Sequence, residues 1–260
     1  MERIDMAGIE FDVEKTGNGP PLLYLHPEHY LHLQKPFIER LAAKWTVYVP
    51  HHPGFDGREP PSDFRRVEDL TYLYLDLIER EGLDGITLLG SSFGGWIALE
   101  MAVRNCTRLK GLCLIAPVGV RLGERGDRDF ADLFALSEAD AAAALFAGKA
   151  PDFSGFSADE MTATARDRQF LAYYGWKPYL HNPSLARWLH RIVVPTQLIW
   201  GDKDGFVPLS YGKQLAALIP GATLDVISGT GHYPQLERLD ETIATILAGP
   251  CGNGSTMQGN

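Results

Sequence analysis

The sequence predicts an α/β fold: a mostly parallel, twisted sheet flanked by helices, with a helical segment inserted late in the chain. Three observations carry this. Short apolar runs recur at residues 22–25, 47–49, 86–89, 112–115, 192–200 and 224–227. Several are apolar at consecutive positions, as strands buried on both faces must be. Helix-period segments separate them at 33–43, 67–81, 93–104, 210–218 and 236–247, and strand–helix alternation requires a parallel sheet covered by helices. The third observation is a break in this rhythm. Residues 118–190 contain no convincing strand, but an Ala-rich helical run at 139–145 and aromatic-rich helical sequence from 161 to 188.

Taken in order, residues 4–13 with Gly8 midway read as an antiparallel hairpin leading into the sheet. Residues 1–117 and 191–248 then form the core, and 118–190 form a helical cap. The tail, 249–260 (GPCGNGSTMQGN), has no apolar periodicity and reads as a flexible end. No internal repeat is visible.

Composition bounds the function. The 260 residues are 45% hydrophobic and 22% charged, the mix of a globular protein rather than a disordered one. A formal net charge of -9 repels phosphate backbones and anionic lipid, so neither nucleic acid nor membrane is an expected partner. Three cysteines, Cys106, Cys113 and Cys251, exclude a disulfide scaffold and a Cys-rich zinc site. The N-terminus lacks a basic-then-apolar leader, and no apolar run approaches the roughly 20 residues that span a bilayer. A cytoplasmic location is expected. The oligomeric state stays open, a homodimer included.

The sharpest motif is Gly90-Ser91-Ser92-Phe93-Gly94-Gly95, between the strand-like Ile86–Leu89 and the helix-like 96–101. It is a G-x-S-x-G sequence in the strand–turn–helix setting that gives it meaning. A nucleophile on a tight turn projects clear of its own backbone, and glycines at 90 and 94 leave room where a Cβ would strike a neighbour. The register makes Ser92, not Ser91, the central residue. A serine hydroxyl is a poor nucleophile and needs a base and a group to orient that base. Two later strand-end segments supply them. One is Gly201-Asp202-Lys203-Asp204-Gly205-Phe206-Val207-Pro208, and the other is Ser228-Gly229-Thr230-Gly231-His232-Tyr233. The residues alone leave Asp202 and Asp204 both open.

Together these motifs resemble the α/β-hydrolase superfamily of capped serine hydrolases, over nearly the whole chain from residue 4 to 247. The resemblance implies the α/β-hydrolase fold and a triad of Ser92, Asp204 and His232, with Asp202 a turn residue. It implies no cofactor and no metal. Its oxyanion hole would be made of the Phe93 and Glu28 backbone N–H groups. Here the chain departs from the pattern: the usual His-Gly-X is His26-Pro27-Glu28. Proline lacks an N–H and fixes φ, but the implied donor is the residue after it. The Glu28 carboxylate, unfavourable beside a forming anion, is expected to point away or to pair with a cation. A second departure is Pro53-Gly54-Phe55-Asp56-Gly57-Arg58, in a loop with a structural role.

Histidines 26, 29 and 32 are spaced by three, but no H-E-x-x-H accompanies them, and loop histidines lining a cleft are the better reading. Pocket residues are expected from His26, His29, Phe206, Tyr233 and the cap's Trp176. The implied activity is cleavage of small to medium, mostly apolar carboxylic esters. A carbon–carbon hydrolase of ring-cleavage dienoates is the alternative, since such enzymes add a cap arginine and Arg166, Arg168 and Arg187 are available. They usually carry Trp after the histidine, where this chain has Tyr233. A lactonase or perhydrolase uses the same parts. A ligand receptor or inactive relative is the non-enzyme alternative.

Overall fold

The computed structural model describes residues 1–55, 57–124 and 126–252. The chain opens with an antiparallel hairpin, β1 (Glu2–Met6) and β2 (Ile9–Thr16). Ala7 and Gly8 turn it with positive φ at both positions, the type I′ geometry that matches strand twist. Next come β3 (Pro21–Leu25), a 3₁₀ turn (Leu31–Gln34), α1 (Lys35–Ala42), β4 (Thr46–Pro50) and α2 (Val67–Arg80). Strand β5 (Ile86–Ser91) runs into α3 (Phe93–Arg104), followed by β6 (Leu109–Ile115).

The segment between β6 and β9 holds α4 (Glu138–Leu145) and α5 (Ala158–Gly175). Ser157 and Glu160 form a capping box at the start of α5. Two short strands that the sequence did not reveal, β7 (Gly119–Val120) and β8 (His181–Asn182), pair in parallel there. Two residues carry no alternation to read. The chain ends with β9 (Thr196–Gly201), α6 (Leu209–Leu218), β10 (Thr223–Ile227), α7 (Pro234–Glu237) and α8 (Leu239–Ala248). Residues 249–252 are not loose, as the sequence suggested. Cys251 is buried beside Gly111, and the Gly252 carbonyl accepts a hydrogen bond from Lys44. Residues 253–260, the rest of the predicted tail, lie outside the described residues, as does Asp56.

The eight-stranded sheet has the order β1-β2-β4-β3-β5-β6-β9-β10, parallel from β4 to β10. Alternate residues face opposite sides. Leu23, Leu88, Leu112 and Leu198 pack into one core, and Leu22, Leu89, Cys113 and Ile199 into the other. Both faces are therefore covered, which is why these strands read as unbroken apolar runs. No helix among the described residues is long and apolar enough to cross a membrane.

Strand order sets the site. From β3 the chain moves outward to β4, then returns to the other side of β3 as β5. The loops leaving β3 and β5 therefore diverge, opening a crevice at their carboxyl ends. The packing there is tight. A Cβ at Gly94 would meet the Leu25 carbonyl oxygen at 2.1 Å and that of His26 at 2.5 Å. Gly94→Ala is expected to cost about 3 kcal/mol, because neither carbonyl can yield without moving the β3 loop. Gly155→Ala, with nothing within 4 Å, should stay within about 0.5 kcal/mol of wild type. Denaturant melts of the two variants check this; equal stabilities would contradict it.

Candidate active site

Ser92 lies between β5 and α3 with φ 49° and ψ -113°. A non-glycine residue with positive φ is strained, and such strain persists only where the surroundings enforce it. They do so here. The Ser92 N–H donates to the Ile115 carbonyl at 2.9 Å, and the Trp96 N–H to the Ser92 carbonyl at 3.1 Å. A Cβ at Gly90 would fall 2.6 Å from the Gly94 carbonyl oxygen. The turn sends the Ser92 hydroxyl toward the crevice and leaves the Phe93 N–H at the first turn of α3, free of any helical partner. Ser91 points elsewhere, its hydroxyl accepting from Gln235 Nε2 at 3.1 Å.

Three side chains meet in a line. Ser92 Oγ is 2.7 Å from His232 Nε2, and His232 Nδ1 is 2.7 Å from Asp204 Oδ2. The second contact makes Nδ1 the donor, leaving Nε2 to accept the Ser92 hydroxyl proton. Asp204 Oδ1 accepts the Phe206 and Val207 N–H groups at 3.0 and 2.8 Å, which fixes its orientation. Asp202 serves the loops instead. It accepts the Gly229 N–H at 2.7 Å and the Ser228 hydroxyl at 3.1 Å, joining the two strand-end segments. Burial opposes charge on His232, but the Asp204 carboxylate outweighs it and raises the imidazole above its usual range.

The segment over the sheet is bonded to these same loops. The last carbonyls of α4 lack helical partners. Ala144 O accepts the Gly205 N–H at 3.0 Å, and Leu145 O accepts the His232 N–H at 2.8 Å. Neither contact has a sequence signature, since both use backbone atoms.

Glu28 departs from expectation. Its carboxylate neither points away nor meets a cation: it turns into the site. Oε2 accepts the Phe93 N–H at 3.1 Å, and Oε1 accepts the Tyr233 hydroxyl at 2.7 Å. Two fixed donors hold the carboxylate in place. Burial opposes charge on Glu28, yet the His29 and His232 imidazoles and the Tyr233 and Ser92 hydroxyls favour it, and the group falls below the usual glutamate range. Among the described residues the Glu28 N–H donates to no protein acceptor.

The other expected pocket residues divide. Phe206 and Tyr233 each pack edge-on to the His232 ring, both at 4.8 Å. His29 lines a cavity of about 170 Å³ with Tyr30, Leu145, Phe153, Arg168 and Leu171. His26 does not line it. Its ring stacks on His52 at 3.8 Å, donates through Nδ1 to the Pro27 carbonyl at 2.7 Å, and accepts the His52 N–H through Nε2 at 3.1 Å. That pair pins the β3 loop to the chain after β4. Trp176 is 58% exposed and lines a separate depression with Arg121 and Phe130; it follows the last residue of α5, more than a turn beyond Leu171, the last α5 residue on the His29 cavity. Among the described residues no group of three or more His, Cys, Asp or Glu is arranged to hold a metal ion.

The sequence profile of the alpha/beta hydrolase family matches residues 17–245. The chain belongs to this family. A 2-hydroxymuconate semialdehyde hydrolase from a Pseudomonas species is 27% identical, over 89% of this chain and 87% of its own. An esterase from Exiguobacterium antarcticum superposes with a TM-score of 0.76 at 20% identity, covering 95% of this chain and 97% of that one. A meta-cleavage product hydrolase from Pseudomonas fluorescens gives 0.74 at 19% identity, covering 95% and 96%. At such identities the superpositions speak for the fold alone.

Asp167 on α5 was not singled out from the sequence. It is 6% exposed, and its Oδ2 accepts the Tyr30 N–H at 3.2 Å. Burial pushes its carboxyl up to about 8, against the single N–H bond that favours charge. An acid raised from 3.8 to about 8 on folding binds one more proton in the native state between those values. Its contribution to stability is therefore lost progressively as pH rises through that window. Asp167→Asn is expected to flatten the slope and to gain a few kcal/mol over wild type above pH 8. Paired melts from pH 4 to 9 test this; parallel curves would contradict it.

Proposed function

We propose that this hydrolase-family protein is a serine hydrolase that cleaves small to medium, mostly apolar carboxylic esters through an acyl-enzyme intermediate. The observation that carries the reading is the unbroken chain of 2.7 Å contacts from Ser92 through His232 to Asp204. Ser92 Oγ attacks the acyl carbon, and its proton passes to His232 Nε2. The carbonyl electron pair moves onto oxygen, which the Phe93 N–H stabilises. The pair returns, the C–O bond breaks, and His232 protonates the leaving alkoxide. Water then repeats the sequence, with His232 as base, to release the acid. Asp204 holds the imidazole in the required tautomer and stabilises its charged form. We place the protein in the cytoplasm, acting on a small-molecule substrate without a cofactor.

A specific observation favours a second reading, carbon–carbon cleavage of a dienoate. Arg168 lines the cavity next to His29, where it could meet a substrate carboxylate. The name of the Pseudomonas relative at 27% identity points the same way.

A screen over p-nitrophenyl esters of graded acyl length, with one ring-cleavage dienoate, separates the readings. Ester turnover with the dienoate untouched is expected, and the reverse ranking would favour the second reading. Ser92→Ala should abolish both turnover and covalent labelling by an organophosphonate while the protein stays folded. Labelling that survives Ser92→Ala and disappears in Ser91→Ala would overturn the assignment.

A further inference from the structure

One buried charge plays no part in the acyl transfer just described. Glu28 is 1% exposed, and neither lysine nor arginine is among the groups that govern its charge. Its two oxygens are held by a backbone N–H and a phenol hydroxyl. The backbone N–H belongs to Phe93, so Oε2 stands where the oxygen of a bound ester has to go. Ser92 beneath it is fully buried. In the resting site the Phe93 N–H is already taken by the chain's own carboxylate.

This placement has a consequence for substrate choice. An entering carbonyl must take the Phe93 N–H from Glu28. The oxyanion that then forms lies beside the displaced carboxylate, and like charges at such distances repel strongly in a site that excludes water. A neutral ester bears that repulsion in full. An ester with a protonated amine on the carbon next to the carbonyl does not. Its ammonium is adjacent to the carbonyl oxygen, so its N–H groups reach the displaced carboxylate as the carbonyl reaches Phe93. Hydrogen bonds are exchanged rather than lost, and the ammonium lies between the two negative charges.

We propose that Glu28 is a specificity-determining residue that selects esters bearing a protonated amine on the carbon adjoining the scissile carbonyl. The proposal rests on the acyl-transfer reading of Ser92. It adds no bond-making step to that mechanism, because only hydrogen bonds change partners around Glu28. Leu145, Phe153 and Leu171 wall the cavity that His29, the residue after Glu28, also lines, and offer apolar surface to a side chain on the same carbon. Arg168, also in that wall, is turned to the Leu133 carbonyl at 2.9 Å.

The test compares L-phenylalanine ethyl ester with ethyl 3-phenylpropanoate, the same skeleton without the amine, at a pH where the amine is protonated. Wild type is expected to show at least a tenfold higher kcat/KM for the amino ester. Glu28→Gln should lower the ratio of kcat/KM for the amino ester to that for the neutral ester at least tenfold, toward one. Glu28→Asp, which keeps the charge, should retain part of the preference. A purely structural role would move both substrates together. A wild-type ratio at or below one, in protein whose Ser92 is labelled by an organophosphonate, overturns the proposal alone, whether or not the variants fold. A ratio preserved in folded Glu28→Gln also overturns it. Absence of labelling and of turnover in wild type would instead overturn the acyl-transfer reading on which it rests.

Discussion

The turn at Ser92 is the constraint on which the site depends. A serine at φ 49° exists only because β5 fixes one side of the turn, α3 the other, and glycines at 90 and 94 admit the close approach of backbone. Release of that turn would move three things together: the Ser92 hydroxyl, the Phe93 N–H and the start of α3. The remaining parts are placed relative to it by the sheet. Strands β9 and β10 lie on the far side of β6, in parallel, so their carboxyl ends deliver Asp204 and His232 to the same edge. The α4 carbonyls close the arrangement by bonding to the loops that carry those two residues.

The buried carboxyl groups Asp204, Glu28 and Asp167 differ in the donors each one meets. Asp204 has two backbone N–H groups and the His232 ring. Glu28 has a backbone N–H, the Tyr233 hydroxyl and nearby imidazoles, and it keeps its charge. Asp167 has one backbone N–H and stays protonated up to about 8. Burial is similar for Glu28 and Asp167, so the number and kind of donors decides which is an anion. Under the acyl-transfer mechanism proposed above, a fixed anion beside the forming one is costly to keep unless the substrate answers it.

Much of this was legible in the sequence, for identifiable reasons. Strands such as Leu22–Leu25 declared themselves because both faces are buried. The helix after Ser92 runs from Phe93 to Arg104, as its apolar period implies. The meeting of Ser92 with His232 and Asp204 was anticipated from strand-end placement and from a family likeness. What stayed hidden depends on tertiary contact. Pro27 and Glu28 announced a departure at the oxyanion loop, but the direction of the carboxylate is set by Phe93 and Tyr233, 65 and 205 residues away. His26 looked like a cleft residue because a loop histidine carries no sign of its stacking partner, His52. Trp176 looked like pocket lining for the same reason, and nothing in the sequence marks Asp167 as buried.

The central proposal is that the Phe93 N–H is the oxyanion donor and that the Glu28 carboxylate holds the oxyanion's place in the resting protein. A crystal structure of the organophosphonate adduct of Ser92 tests it most directly. The phosphonyl oxygen should lie within hydrogen-bond distance of the Phe93 nitrogen, with the Glu28 carboxylate displaced from it. An adduct in which Glu28 still holds the Phe93 N–H, and the phosphonyl oxygen finds its donors elsewhere, would contradict the claim.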